Sequence, residues 1–153
     1  MAGTEADNKL GKLRIRASAV CVDRAQLLCV RLRDPKTGVA RLFVPGGAIE
    51  PGETPAMAAA REVLEETGYE VEVDPASEVV AQYPYEWNGV LRQVRTHFFK
   101  ARGPARVEDA RSLPARVNDA SYNEGVVWLP LEEIPTHLGF NDAICAAVLR
   151  LTR

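Results

Sequence analysis

Glu62, Glu65 and Glu66 stand within about one turn of each other on the helical pattern of residues 44–72, VPGGAIEPGETPAMAAAREVLEETGYEVE, and Glu53 lies just ahead of them. Like charges three or four residues apart on a helix repel, at a few tenths of a kcal/mol per pair. A cluster with that cost calls for a counterion. Carboxylate oxygens without Cys or His beside them suit Mg²⁺ or Mn²⁺ rather than zinc. Gly46 and Gly47, just upstream, let backbone approach a ligand closely, and a carbonyl there adds a further hard oxygen donor. The plain alternative is a helix with an apolar stripe and a solvated acidic face; the two glycines weigh against it.

The element that must carry these acids is bounded by clear signals. Thr54 suits an N-cap, Pro55 the first helical position and Gly68 the C-terminal cap, so a helix is expected over 55–67. On a helical wheel the three carboxylates share one side, while Ala56, Met57, Ala60, Val63 and Leu64 form an apolar stripe facing away. Ala58 falls among the acids, where its small side chain leaves room for an approaching group.

Around this helix the chain reads mostly as strands. KLRIRASAVCV (12–22) and QLLCVRLRD (26–34) flank a short polar turn, and VARLFVP (39–45) leads to the glycines. SEVVAQYPYEW (77–87) and VLRQVRTHFFKA (90–101) flank Asn88-Gly89, a two-residue hairpin signal. Residues 102–124, rich in Arg, Pro, Asp and Asn, read as a long loop, and GVVWLP (125–130) as another strand. NDAICAAVLRLT (141–152) has an Asn cap and helical apolar spacing. Strands surrounding two helices imply a mixed α/β layered domain, one domain over 1–153.

Bulk properties narrow the classes. Hydrophobic residues at 46% and charged residues at 26% are ordinary for a soluble globular chain. The polar start MAGTEADNKLGK shows no secretory signal, and no apolar run approaches the roughly 18 residues of a membrane span. Cys21, Cys29 and Cys145, odd in number and without a CxxC pair, read as reduced thiols in a cytoplasmic protein. Charge is uneven: residues 1–46 hold nine Lys/Arg and four Asp/Glu, residues 47–78 one Arg and nine Asp/Glu. A basic part beside an acidic centre suits an anionic substrate that meets a divalent cation; scattered surface charge is the alternative. No basic run interleaves with aromatics, so a long nucleic acid is not expected. The oligomeric state stays open.

One pattern goes further. Gly47, five residues, Glu53, seven residues, then Arg61-Glu62-Val63-Leu64-Glu65-Glu66-Thr67-Gly68-Tyr69 resembles the complete Nudix box, with a bulky Tyr69 at its last apolar position. A looser likeness extends from the N-terminal strands to the last helix, and the short chain looks most like MutT-type Nudix hydrolases. The resemblance implies an α/β/α sandwich with a mixed sheet between helices. It also implies Mg²⁺-dependent (or Mn²⁺-dependent) hydrolysis of a nucleoside diphosphate linked to another group. On the family's pattern Glu62, Glu66 and the Gly46 carbonyl are metal ligands, and Glu65 is a further ligand or the group that activates water. Arg61 and Glu53 orient them. A later carboxylate often completes such a site; Glu124 is the candidate, with Glu86, Glu108 and Asp109 competing.

Arg31, Arg33 and Arg41 lie on strands leading to the box and suit bidentate phosphate binding, or a solvated surface. Tyr83, Tyr85, Trp87, Phe43 and Phe140 are candidates for stacking on a base, or for core packing. Asn141 and Asp142 resemble the place where MutT-like members read the base edge; capping is the equal alternative. Pro84 and Tyr85 sit at offsets that resemble an ADP-ribose marker and a dinucleoside polyphosphate marker respectively. The lack of an extra N-terminal domain favours a MutT-like nucleotide pyrophosphatase over either. A non-catalytic nucleotide sensor is disfavoured by the intact box. An enzyme for triphosphate RNA ends is disfavoured by the lack of a second domain and of a pronounced basic face.

Overall fold

The computed structural model describes residues 12–107 and 122–153. Alternation of side chains builds its centre. In β1 (Arg14–Asp23), Ala17, Ala19 and Cys21 point to one face and Val20 to the other. β1 turns at Arg24-Ala25, both in the left-handed region, into antiparallel β2 (Gln26–Arg33). β3 (Ala40–Phe43) pairs with β2, and the short β4 (Gly46–Ala48) pairs with β1, Gly46 opposite Ser18.

Helix α1 (Pro55–Thr67) has the expected bounds. Thr54 Oγ1 accepts from the Met57 amide at 3.1 Å, and Gly68 closes the helix with φ +78°. β5 (Tyr69–Val73) follows at once, a strand the sequence reading did not anticipate despite its apolar–acidic alternation, YEVEV. A 3₁₀ turn (Pro75–Ser77) leads to β6 (Val79–Trp87). Asn88 and Gly89, at φ +52° and +77°, form the expected hairpin turn into β7 (Val90–Arg106). β7 carries a correction: it continues to Arg106, so residues 102–106 are strand, not loop. They pair with β5, Tyr69 opposite Arg106, because β5 offers them an open edge. Most of the remaining expected loop, with Glu108 and Asp109, lies outside the described residues.

β1 and β7 run parallel, with Arg14 opposite Val94, and make the sheet mixed. β8 (Asn123–Pro130) pairs with β2. A 3₁₀ turn (Leu131–Glu133), the short helix α2 (Ile134–Leu138) and helix α3 (Asp142–Leu151) follow. One face of the sheet packs Ala17, Ala19, Leu28 and Phe99 against Ala58, Ala59 and Val63 of α1. The opposite face packs Val20, Leu27, Val94 and Phe98 against Ile144, Ala147 and Val148 of α3. The result is the expected α/β/α sandwich with a mixed sheet between helices. Among the described residues no helix is long and apolar enough to cross a membrane.

Candidate active site

Helix α1 is rotated relative to the face that its apolar spacing predicts. The buried face of α1 is Ala58, Ala59, Glu62, Val63 and Thr67, while Met57, expected on the apolar stripe, is 57% exposed. Ala58 is fully buried and leaves no opening. Small alanines let the helix axis lie close to the sheet, and this rotates the helix so that Glu62 is carried inward with them. Glu62 is 1% exposed, a carboxylate in the core of the molecule.

What accommodates it is glycine. A Cβ on Gly47 would overlap the Glu62 carboxylate, so a larger residue where β4 passes the helix would have to displace that side chain from its place. At Gly46 a Cβ would overlap the Ser18 side chain, and the Gly46 amide instead donates to Glu66 Oε1 at 3.2 Å. The Gly46 carbonyl accepts from Arg16 Nη2 at 3.0 Å. One residue, Gly46, thus joins the end of the acidic edge to a guanidinium across the sheet.

Arg61 organises the rest. Its Nε donates to Glu53 Oε2 at 2.7 Å, Nη1 to Glu62 Oε1 at 3.0 Å and to Glu65 Oε2 at 3.1 Å, and Nη2 to Glu53 Oε1 at 2.9 Å and to the Ala48 carbonyl at 2.9 Å. Glu53 in turn accepts from the Glu50 amide at 2.9 Å, which fixes the loop before the helix. Paired this way, the Arg61 guanidinium is held far above its ordinary range, chiefly by the Glu53 hydrogen bonds. Repulsion among the glutamates is offset by one cation with five donors. Glu53, Glu62 and Glu65 are gathered by Arg61, and Glu66 joins them through Gly46. Among the described residues no three His, Cys, Asp or Glu side chains converge as a ready metal-binding group.

Beside this edge opens a cleft of about 650 Å³. Gly46, Gly47 and Ala48 form part of its wall; Arg14, Arg16 and Arg92 line it, as do Phe43, Tyr85 and Trp87. The aromatics interlock: Phe43 meets Tyr85 at 6.0 Å and Trp87 at 6.4 Å, both edge-on. Burial pushes the Tyr85 hydroxyl up to about 12.

The NUDIX domain family matches residues 12–147, nearly the whole chain. The chain belongs to the Nudix family. It is 29% identical to an RNA pyrophosphohydrolase of Erythrobacter litoralis (strain HTCC2594) over 148 residues, covering 88% of this chain and 87% of that protein. It is 32% identical to a MutT-like protein of Streptomyces ambofaciens over 118 residues, 77% of this chain and 64% of that one. Its fold matches the crystal structure of a MutT NUDIX hydrolase from Burkholderia pseudomallei with a TM-score of 0.64 at 23% identity, covering 92% and 99% of the two chains. Like the family, it is a Nudix hydrolase.

Other residues singled out from the sequence lie elsewhere on this Nudix fold. Arg33 grips Glu124 bidentately at 2.7 and 3.1 Å, and Arg31 approaches it at 3.4 Å. The arginines hold the exposed Glu124 below the usual carboxylate range, Arg33 first. Neither Arg31, Arg33 nor Glu124 lines the cleft; Arg41 instead lies over the Phe140 ring at 4.7 Å. Asn141 Oδ1 accepts from the Ile144 amide at 3.1 Å, a helix cap, with Asp142 in the first turn. Tyr83 is core, its hydroxyl 2.8 Å from Thr96 Oγ1. Glu86 is exposed, alternating with Tyr85 and Trp87 along β6.

Sequence reasoning missed Arg14, Arg16 and Arg92. The signal for the first two was present in the alternation of β1, where they share a face. Arg92 joins them only through the parallel pairing of β1 with β7, a contact between distant segments.

Proposed function

We propose that the chain hydrolyses the pyrophosphate bond of a nucleotide derivative with a divalent cation, as a MutT-like nucleotide pyrophosphatase. The observation that carries this reading is Glu62 packed against Gly47 and Glu66 bonded to Gly46 at the edge of a cleft that has arginines and aromatics in its walls, with Glu65 joined to Glu62 through Arg61. The donors there are carboxylate and carbonyl oxygens, as Mg²⁺ or Mn²⁺ prefers. One or two protein carboxylates suffice for Mg²⁺ when substrate phosphates and water supply the other ligands. Glu62, Glu66 and the Gly46 carbonyl would hold it; Glu124 would need to leave Arg33 to join them. A bound divalent cation neutralises the phosphates about the scissile bond and lowers the pKa of the attacking water.

The protein's own groups do the rest. Glu65 is the residue assigned to take or steer the water's proton, and Arg61 fixes its direction from one turn away. Glu53 fixes Arg61 in turn. Phe43, Tyr85 and Trp87 offer an apolar wall for a base. The free thiols Cys21, Cys29 and Cys145 support a cytoplasmic setting.

The test is a Mg²⁺-dependent hydrolysis screen over nucleoside triphosphates, ADP-ribose, dinucleoside polyphosphates, sugar nucleotides and a 5′-triphosphorylated RNA oligonucleotide, with products identified. A nucleoside monophosphate product that depends on metal is expected. Nucleotide binding without any hydrolysis over hours would make the chain a sensor instead. The RNA substrate stands in the screen because of the RNA pyrophosphohydrolase relative. The arginine-lined cleft supplies a basic surface that the linear sequence did not display.

A further inference from the structure

Three guanidiniums, those of Arg14, Arg16 and Arg92, line the cleft without an acidic partner among the described residues. Other arginines are engaged in different ways: Arg33 with Glu124, Arg61 with Glu53 and Arg102 with Glu72, Arg95 with the Gln82 amide, and Arg41 over the Phe140 ring. What sets Arg14, Arg16 and Arg92 apart is that all three share one concave wall. Arg14 and Arg16 sit two apart on β1, on one face of the sheet. Arg14 is opposite Val94 across the parallel pairing, so Arg92, two residues before Val94, lies on that same face. Neither Arg14 nor Arg92 has a carboxylate of the described residues within ion-pair distance, and Arg16 is bonded only to a neutral carbonyl, that of Gly46. Loss of water and then the Arg92 and Arg16 charges hold Arg14 below the ordinary arginine range. Like charges gathered in a concave wall form a field that an anion relieves.

The position of this field says which part of an anion it meets. Gly46 donates to Glu66 on one side and accepts from Arg16 on the other. The acidic edge, where a divalent cation would serve the two phosphates of the scissile bond, is thus one residue, Gly46, away from Arg16, with Arg14 and Arg92 farther along the same cleft. A diphosphate joined to a neutral sugar brings no further charge to them; a longer phosphate chain does.

We infer that Arg14, Arg16 and Arg92 form a subsite for an additional phosphate. Substrates with three or more consecutive phosphates are thereby selected over diphosphates joined to a neutral group. The inference rests on the hydrolase reading for its place in catalysis, and on the arginine geometry alone for its binding. Its chemistry is shared by a free nucleoside triphosphate and a 5′-triphosphorylated RNA end.

The test separates binding from turnover. In metal-free buffer, calorimetry with inorganic tripolyphosphate and with pyrophosphate gives an affinity ratio for wild type, for Arg92→Gln and for Arg14→Gln/Arg92→Gln. The ratio is expected to fall about tenfold in the double variant, as charge-assisted bonds to one phosphate are lost. Arg92→Gln, the milder change, lowers it by less and serves if the double variant folds poorly. With Mg²⁺, the kcat/KM ratio of a nucleoside triphosphate, or of a triphosphorylated oligonucleotide, over ADP-ribose falls in parallel, through KM. Whichever triphosphate shows arginine-dependent turnover is the source. Affinity ratios unchanged by the arginine variants overturn the subsite, even if wild type hydrolyses nucleotides well. An arginine-dependent affinity ratio in a protein that hydrolyses nothing supports the subsite and defeats the hydrolase reading instead.

Discussion

Arg61 contacts Glu53, Glu62 and Glu65 at once, and Glu62 has no water to turn to. Replacing Arg61 by Gln keeps a hydrogen-bonding side chain but removes the charge that makes a buried carboxylate tolerable. Breaking a buried pair by removing one partner costs about 3–5 kcal/mol. Here the arginine is partly exposed, so the lower end applies, and a lower melting temperature in EDTA is the expected outcome. If the glutamates bind Mg²⁺, added Mg²⁺ should recover part of that loss. A second prediction concerns Glu66→Gln, which can still accept from the Gly46 amide. Turnover should drop by at least about a hundredfold while metal-free stability holds or rises as repulsion eases. Near-normal turnover would remove Glu66 from the reaction.

At the scale of elements, α3 begins on a cap that nothing else in its first turn replaces. Asn141→Ala should cost about 1 kcal/mol in denaturant unfolding. The same variant decides whether Asn141 also reads a base: kcat/KM ratios across nucleobases stay fixed if it only caps, and shift if it does both. The β1–β2 hairpin makes a different prediction. Burial pushes the Cys29 thiol to about 12 and Cys21 to about 11, from an ordinary value of 9.0. A thiol whose pKa is raised by folding contributes fully below about pH 9, and that contribution is lost as pH climbs towards the folded values. Unfolding free energy should therefore decline between about pH 9 and pH 12. Cys29→Ala should flatten the decline, whatever it does to stability at neutral pH. An unaltered slope would assign the alkaline loss to other groups, Tyr85 among them.

For the molecule as a whole, a ligand that binds only the folded state raises the melting temperature by linkage. Millimolar Mg²⁺ or Mn²⁺ should do so in wild type, and Glu62→Gln/Glu66→Gln should abolish the rise. An equal rise in the double variant means that the cations act at another surface. Mechanical support for the site comes from both faces of the sheet. α1 is set by packing on Ala17, Ala19 and Phe99, while α3 backs the opposite face.

The sequence by itself determined what is local. The bounds of α1 follow from Thr54, Pro55 and Gly68, because caps act within one turn. The Asn88-Gly89 hairpin follows from two residues that accept positive φ. Family membership was legible in the box, since its residues stand at fixed spacings in one continuous stretch. Tertiary structure alone decided which edge of α1 turns inward. Helical spacing pointed to Met57 and Leu64, but close contact with the sheet selected small Ala58 and Ala59 and carried Glu62 in with them. It also decided which arginines meet the cleft. Arg31 and Arg33 sit in β2, beside β8 and its Glu124, whereas Arg14, Arg16 and Arg92 are assembled by a parallel pairing of strands some eighty residues apart. A side chain's charge is written in the sequence; the charges that face it depend on strand order and register, which no local pattern encodes.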